Sequence, residues 1–219
     1  MNLSSRLLTG AALLLALPAA MAASTIDVTV AGSIVPSACT PTLSTGTFNH
    51  GRISKTDLNS DKHTSFYSKQ IMGKLFINCA APTVYAIKGI DNRADSVARH
   101  SNVVAPYGLG YTPAKEKIGA HYLEISTPGS TLDGGAALFM TAASVGAAWG
   151  APVSYELNIR NDGRLIGLAK TAGTSGGPSA VGSAILTLGS SIEIAPAKGL
   201  TLTDEVALDG AATIEVVYL

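Results

Sequence analysis

Few side chains in this sequence are aromatic, charged or sulfur-bearing. Aromatics are 5% of the chain with a single tryptophan, so a core must be assembled from small aliphatic residues. Charged residues are 14%, and 15 basic side chains balance 15 acidic ones. That balance excludes the basic footprint of a nucleic-acid binder and the net charge of a disordered tail. Two cysteines are too few for a cysteine-rich zinc module. No Cys-x-x-Cys occurs, and no two of His50, His63, His100 and His121 stand three to five residues apart, so no metal site is expected. These histidines are read as surface side chains, and Asp57, Asp61, Asp91 and Asp95 as solvated loop charges lacking a calcium-loop pattern. No apolar run reaches the roughly 20 residues that span a bilayer. No convincing helical period appears either; Ala136 to Trp149 has a helical composition, but Gly146 and its β-branched neighbours weaken it.

What is present begins with an export signal. Arg6 supplies a positive n-region, Leu7, Leu8 and Ala11 to Leu17 a short apolar region, Pro18 a break, and Ala20-Met21-Ala22 a small-x-small cleavage site. Residues 1–22 are therefore expected to be removed, leaving 14 basic against 15 acidic residues. The alternative, a retained anchor, is disfavoured by the short apolar run. In an oxidising compartment Cys39 and Cys79 are expected to pair. A closed loop of that length is worth about 4 kcal/mol in the chain-entropy treatment.

The mature chain alternates with period two. Ile26, Val28, Val30 and Ile34 share a face, with Gly32 at the remaining position. Further strands are expected at 73–79, at 84–87 after an Ala-Pro turn at 81–82, and at 122–125. Others are expected at 153–159, with Val153, Tyr155, Leu157 and Ile159 on one face, and at 165–166, 184–188, 191–194 and 212–219. Asp162-Gly163 between apolar runs is a hairpin signal. Residues 50–70 and 91–120 read as long polar connections and 171–183 as a Gly/Ser-rich loop. Short strands and frequent turn residues indicate an all-β sandwich or barrel in one domain.

Both ends carry a further pattern. Val30-Ala31-Gly32-Ser33-Ile34-Val35-Pro36-Ser37-Ala38-Cys39 leads into the first cysteine, Cys79 falls at the end of a strand, and Ile214, Val216 and penultimate Tyr218 alternate to the last residue. In these features the chain resembles the subunits of chaperone–usher pili, of the β-type fimbrial subgroup. The family's C-terminal glycine position, thirteen before the last residue, is Val206 here, with Gly210 nearest. Ile26 stands where the family has a small residue.

The resemblance implies an incomplete immunoglobulin-like β-sandwich over 35–219, completed by a donor strand from another chain. Residues 23–34 would be that donor, with Ile26, Val28 and Val30 inserted. Ile214, Val216 and Tyr218 would form the acceptor edge, which a periplasmic chaperone covers first. The implied partners are that chaperone, an outer-membrane usher and neighbouring subunits, and the implied destination is the cell surface, as a fimbrium supporting adhesion. Burial of three such donor side chains is worth about 5–9 kcal/mol before ordering costs. No catalytic residue, cofactor or metal is implied.

Two other readings stand beside it. One is a self-contained secreted β-sandwich that binds carbohydrate or protein, with Trp149 as a sugar-stacking candidate; a lone tryptophan is more often packing. The other rests on Gly173-Thr174-Ser175-Gly176-Gly177-Pro178, which resembles the nucleophile loop of chymotrypsin-like proteases. It would need one of the four histidines and an aspartate such as Asp91. None of the histidines has that family's Thr-Ala-Ala-His context; the nearest echo, Thr141-Ala142-Ala143-Ser144, has serine instead. A flexible loop is the expectation there.

Overall fold

The computed structural model describes residues 29–30, 38–100, 105–173 and 176–219. Residues 1–35 and 36–219 are separate units. In the first, Thr29 and Val30 are described and lie in no strand, whereas the signal segment, Ile26 and Val28 lie outside the described residues.

The second unit is all-β. Its strands are β1 (Cys39–Leu43), β2 (Thr64–Ser65), β3 (Ile71–Asp91), β4 (Tyr107–Gly108), β5 (Gly119–Leu132) and β6 (Gly135–Ala136). They continue with β7 (Leu138–Ala142), β8 (Leu157–Asn158), β9 (Leu165–Ala169), β10 (Ala180–Ile194) and β11 (Ala212–Tyr218). Their ladders are antiparallel and join into one curled sheet. One half runs β1-β3-β10-β5, the other β11-β3-β9-β7, and β3 belongs to both. The halves share a core, as in a β-sandwich. Leu75, Ile77, Leu123, Ile125, Leu186 and Leu188 come from the first half; Tyr85, Ile87, Phe139, Ile166 and Leu168 come from the second. Alternation explains this: along most of the long strands every second residue is apolar and points inward.

Several sequence expectations change. The segments 73–79 and 84–87 are one strand, and Pro82 makes no turn. The β3–β10 register shifts here, from Ser183 opposite Asn78 to Val181 opposite Thr83, so β3 carries the extra residues of a bulge. A proline is tolerated at a bulge because it removes no ladder hydrogen bond there. Asp133 clamps the bulge by accepting from the Gly182 and Ser183 amides, and is itself paired with Lys170 at 2.6 Å. The segments 184–188 and 191–194 are likewise one strand, β10, which also absorbs residues 180–183 of the expected loop. Residues 153–159 form only the two-residue β8 and a bridge from Val153 to Phe139; Tyr155 is exposed. Asp162-Gly163 does turn the chain, with Gly163 at φ 87°, but into no hairpin. The turn passes from β8, paired to β5, to β9, paired to β3 and β7. The helical composition at 136–149 contains β7 instead. The connection 91–120 carries buried Tyr107, Leu109 and Ile118.

Candidate functional site: an apolar cleft beside the last strand

Among the described residues β11 pairs with β3 alone, so no described strand pairs with its other edge. The ladder parity identifies which groups face that edge. Leu219 donates its amide to the Val84 carbonyl and Asn92 donates to the Ala211 carbonyl. Thr213, Glu215 and Val217, of the same parity, therefore direct their main-chain groups at β3, while those of Ala212, Ile214, Val216 and Tyr218 point outward. Gly89, opposite Ile214, agrees: its amide turns away from β11 to the Arg160 carbonyl. The outward-pairing residues also carry the inward side chains. Ala212, Ile214 and Val216 pack against the main core, yet no β11 residue is fully buried. Hydrophobic side chains and main-chain groups turned away from β3 thus lie along one line.

A cleft of about 1120 Å³ opens beside the N-terminal half of this edge. One wall is β1 and the segment 46–53; the other is the segment 204–211 and the start of β11. Its floor is core: Leu75, Leu123, Ile192 and Ile194 from the long strands, with Leu109 and Ile118. Across its walls Arg52 meets Glu205 at 2.9 Å, but both are largely exposed, so the pair is worth no more than about 1 kcal/mol.

Among the described residues β1 is a second edge, paired only with β3. The Ala80 amide bonds the Ala38 carbonyl and the Ser44 amide the Lys74 carbonyl, so Cys39, Pro41 and Leu43 face away from β3. Pro41 thus lacks an amide where none is needed, as suits an edge. Cys39 and Cys79 are direct cross-strand partners and form the expected disulfide. The Cys39 amide donates to the Tyr218 hydroxyl at 2.8 Å, tying the end of β11 to β1.

The floor has one polar notch. Ser190 on β10 and His121 on β5 occupy inward positions, at 3% and 8% exposure. His50, from the wall, places Nε2 3.1 Å from the Ser190 hydroxyl. His121 stacks on Tyr107, with ring centroids 5.0 Å apart, and its Nε2 has no partner among the described residues. Burial, with the nearby His50, holds the His121 pKa down to about 4; burial also lowers that of His50. His121 is therefore no surface histidine. Tyr107 donates its hydroxyl to the Ile159 carbonyl at 2.7 Å, and burial raises its pKa.

The residues of the protease-like reading are dispersed in their partners. Ser175 lies outside the described residues; Gly167 and Pro178 pack at Trp149, which makes Trp149 a packing residue. His63 faces His100 with centroids 5.7 Å apart, and Asp91 accepts the Gly108 amide at 3.0 Å, a structural bond rather than a solvated charge. Asp61 pairs with Lys198. Among the described residues no cluster of three or more His, Cys, Asp or Glu could hold a metal ion, and no helix is long and apolar enough to cross a membrane.

A smaller depression of about 420 Å³ lies elsewhere, lined by Tyr67, Tyr155, Glu124 and Glu156. The Tyr67 hydroxyl donates to Glu156 at 3.2 Å, and Gln70 donates to Glu124 at 2.6 Å. Burial and the two carboxylates push the Tyr67 pKa up to about 12, and burial raises that of Glu124.

Sequence reasoning found Ile214, Val216, Tyr218 and the cysteines, all of which border β11 or β1. It missed the walls at 46–53 and 204–211 and the notch. The available signal was Val206-Ala207-Leu208 within a polar stretch, and polar residues at inward positions of alternating strands.

Residues 28–105, a little over a third of the chain, match a family model described as a protein of unknown function, DUF1120. That stretch includes β1, the 46–53 wall and β3. No curated protein and no solved structure matches.

Proposed function

We propose that this chain is a structural subunit of a surface fimbria, assembled by strand addition rather than acting as a catalyst. The observation that carries the reading is the edge of β11 that no described strand pairs, whose outward main chain and inward Ile214 and Val216 adjoin an apolar cleft. An exposed edge above an apolar floor is an aggregation hazard unless something pairs with it. The occupant with the right chemistry is an extended segment with alternate apolar residues: main-chain hydrogen bonds supply affinity and pockets supply specificity. Donor-strand complementation of pilins by chaperones is a general instance of this mode.

Residues 23–34 have that alternation, with Ile26, Val28 and Val30 as inserted side chains. A subunit therefore offers a donor at one end and an acceptor at the other, and such a head-to-tail interface extends without closing. The export signal fits passage through a periplasm, where a chaperone covers the edge before an usher and neighbouring subunits replace it. The disulfide fits the same oxidising route.

The test is deletion of residues 23–34. The deleted chain is expected to bind a pilus chaperone as the full chain does, yet to form no polymer by size-exclusion chromatography or microscopy. Polymerisation undiminished by the deletion would contradict the reading.

One observation favours a second reading, a saccharide-binding module. The half-exposed Tyr67 and Tyr155 beside Glu124 and Glu156 combine aromatic faces with carboxylates. Loss of glycan-array binding in Tyr155→Ala, with assembly intact, would support it as a surface activity of the assembled subunit.

A further inference from the structure

The outer face of β11 carries a charge where its inner face is apolar. Thr213, Glu215 and Val217 alternate with the inward Ala212, Ile214 and Val216. Glu215 is half-exposed and pairs at 3.3 Å with Lys88, its cross-strand neighbour on β3. The segment proposed to add at this edge, residues 23–34, has a single charged side chain, Asp27. It stands on the strand face opposite to Ile26, Val28 and Val30. With those side chains in the cleft, Asp27 emerges beside the outer face of β11.

The ends of the edge set the direction of the added strand. At the C-terminal end, Tyr218 is tied to the Cys39 amide and closes the corner with β1. The cleft lies at the other end, along Ile214, Ala212 and the segment 204–211. The donor's own body follows within a few residues of Ile34. Ile34 therefore leaves through the cleft end and Ala23 points to the corner, which makes the added strand antiparallel to β11.

Registers two residues apart all keep the apolar face inward. With Ile26 opposite Ala212, Ser24 falls at Ile214; with Ile26 opposite Tyr218, Gly32 falls at Ala212. Both leave the apolar floor poorly covered. With Ile26 opposite Ile214, the side chains of Ile26, Val28 and Val30 lie beside cleft-lining Ile214, Ala212 and Gly210. A slip of two toward the corner sets Ile26 opposite Val216, which also packs on the core, so apolar contact separates these two registers poorly. The outer face separates them. The slip sets Asp27 directly opposite Glu215, and like charges so placed destabilise a strand pair. Lys88 is on the far side of Glu215 from the added strand and does not come between the carboxylates. The unslipped register sets Asp27 opposite Thr213, whose hydroxyl accepts from Asn92 and keeps its proton to donate. It also sets the Thr25 hydroxyl opposite Glu215.

We propose that Glu215 is the register-determining residue of the β11 edge: a second copy adds residues 23–34 antiparallel to β11, with Ile26 opposite Ile214, Val28 opposite Ala212 and Asp27 opposite Thr213. This deepens the strand-addition reading and rests on it.

Disulfide trapping reads the register, because outer-face partners at this edge are the close, non-hydrogen-bonded ones. A Thr29→Cys peptide of residues 23–34 with an Ala211→Cys full chain reports the proposed register. A Thr25→Cys peptide with a Val217→Cys full chain reports the slip. Asp27, Thr213 and Glu215 stay in place in both pairs. The first pair is expected to form its disulfide at least about threefold faster than the second. Asp27→Lys in both peptides, which leaves the folded chain untouched, is expected to reverse that order by setting a lysine against Glu215. Glu215→Lys in both chains is expected to reverse it with Asp27 retained, folding being checked by thermal melts. A second pair as fast as the first with the natural charges, or a ratio that neither reversal moves, would overturn the inference and leave strand addition standing. If the unaltered peptide binds no full chain in fluorescence anisotropy, strand addition and the register fall together.

Discussion

His121 shows how one residue departs from what its sequence context announces. Flanked by alanine and tyrosine and far in sequence from any other histidine, it reads as a surface side chain. Its burial is created by Tyr107, Gly210 and Ile192, which only the folded sheet brings to it. The consequence is a pH dependence with a definite sign. The folded chain keeps this imidazole neutral down to about pH 4, whereas the unfolded chain protonates it near 6.5. Between those values the unfolded state binds more protons, so stability falls as the pH is lowered through the window, by up to about 3 kcal/mol. His50, also lowered, adds with the same sign. Glu124, raised by burial, opposes it, because its contribution is present at low pH and lost as the pH rises through its folded value. Urea denaturation at pH 7 and pH 4.5 is expected to show the loss, and His121→Leu to reduce it. Gly89 gives a second residue-scale expectation. A Cβ there would overlap the Tyr107 hydroxyl and crowd the Arg160 carbonyl. Gly89→Ala is expected to lower stability by about 1–3 kcal/mol through overpacking, read as a lower urea midpoint. The cysteines, by contrast, were legible, because two cysteines have only one way to pair.

Among the elements, β11 was legible and β3 was not. Alternation alone marks Ile214, Val216 and Tyr218 as one face, and short-range pattern suffices for a strand that pairs along a single edge. β3 breaks the local rules: Pro82 inside a run argues for two strands, and only the bulge that β3 itself forms between Asn78 and Thr83, opposite Val181 and Ser183 of β10, makes it one. The Asp-Gly turn misled for a related reason, since turn chemistry fixes the reversal but not the sheet in which each flanking strand finds its partner. The parity of β11 yields a sharp contrast. Val216 directs its amide to the open edge, so Val216→Pro removes no ladder bond; it is expected to cost only about 1–2 kcal/mol, from lost side-chain burial, yet to stop strand addition. Val217→Pro removes a bond to β3 and is expected to destabilise the chain more, measured by thermal melts beside a binding assay. At β1, Cys39→Ser with Cys79→Ser is expected to cost about 2–5 kcal/mol, checked by urea unfolding against the oxidised chain.

At the scale of the molecule, the all-β class followed from period-two alternation and the want of any helical period. The sharing of β3 between two half-sheets did not, because strand order depends on pairings far apart in sequence. The cleft was equally hidden: its walls are irregular segments around residues 50 and 207, close only once β1 and β11 flank the same side of β3. The central claim is that the described fold leaves a strand's place vacant beside β11. Amide hydrogen exchange tests it most directly, on a chain lacking residues 1–34, alone and with a peptide of residues 23–34. In the chain alone, the amides of Ile214 and Val216 are expected to exchange fast while those of Thr213, Glu215 and Val217 are protected, and the peptide is expected to slow the first pair. If Ile214 and Val216 are as protected as their neighbours without any peptide, and the peptide changes nothing, the edge is closed and the account is wrong.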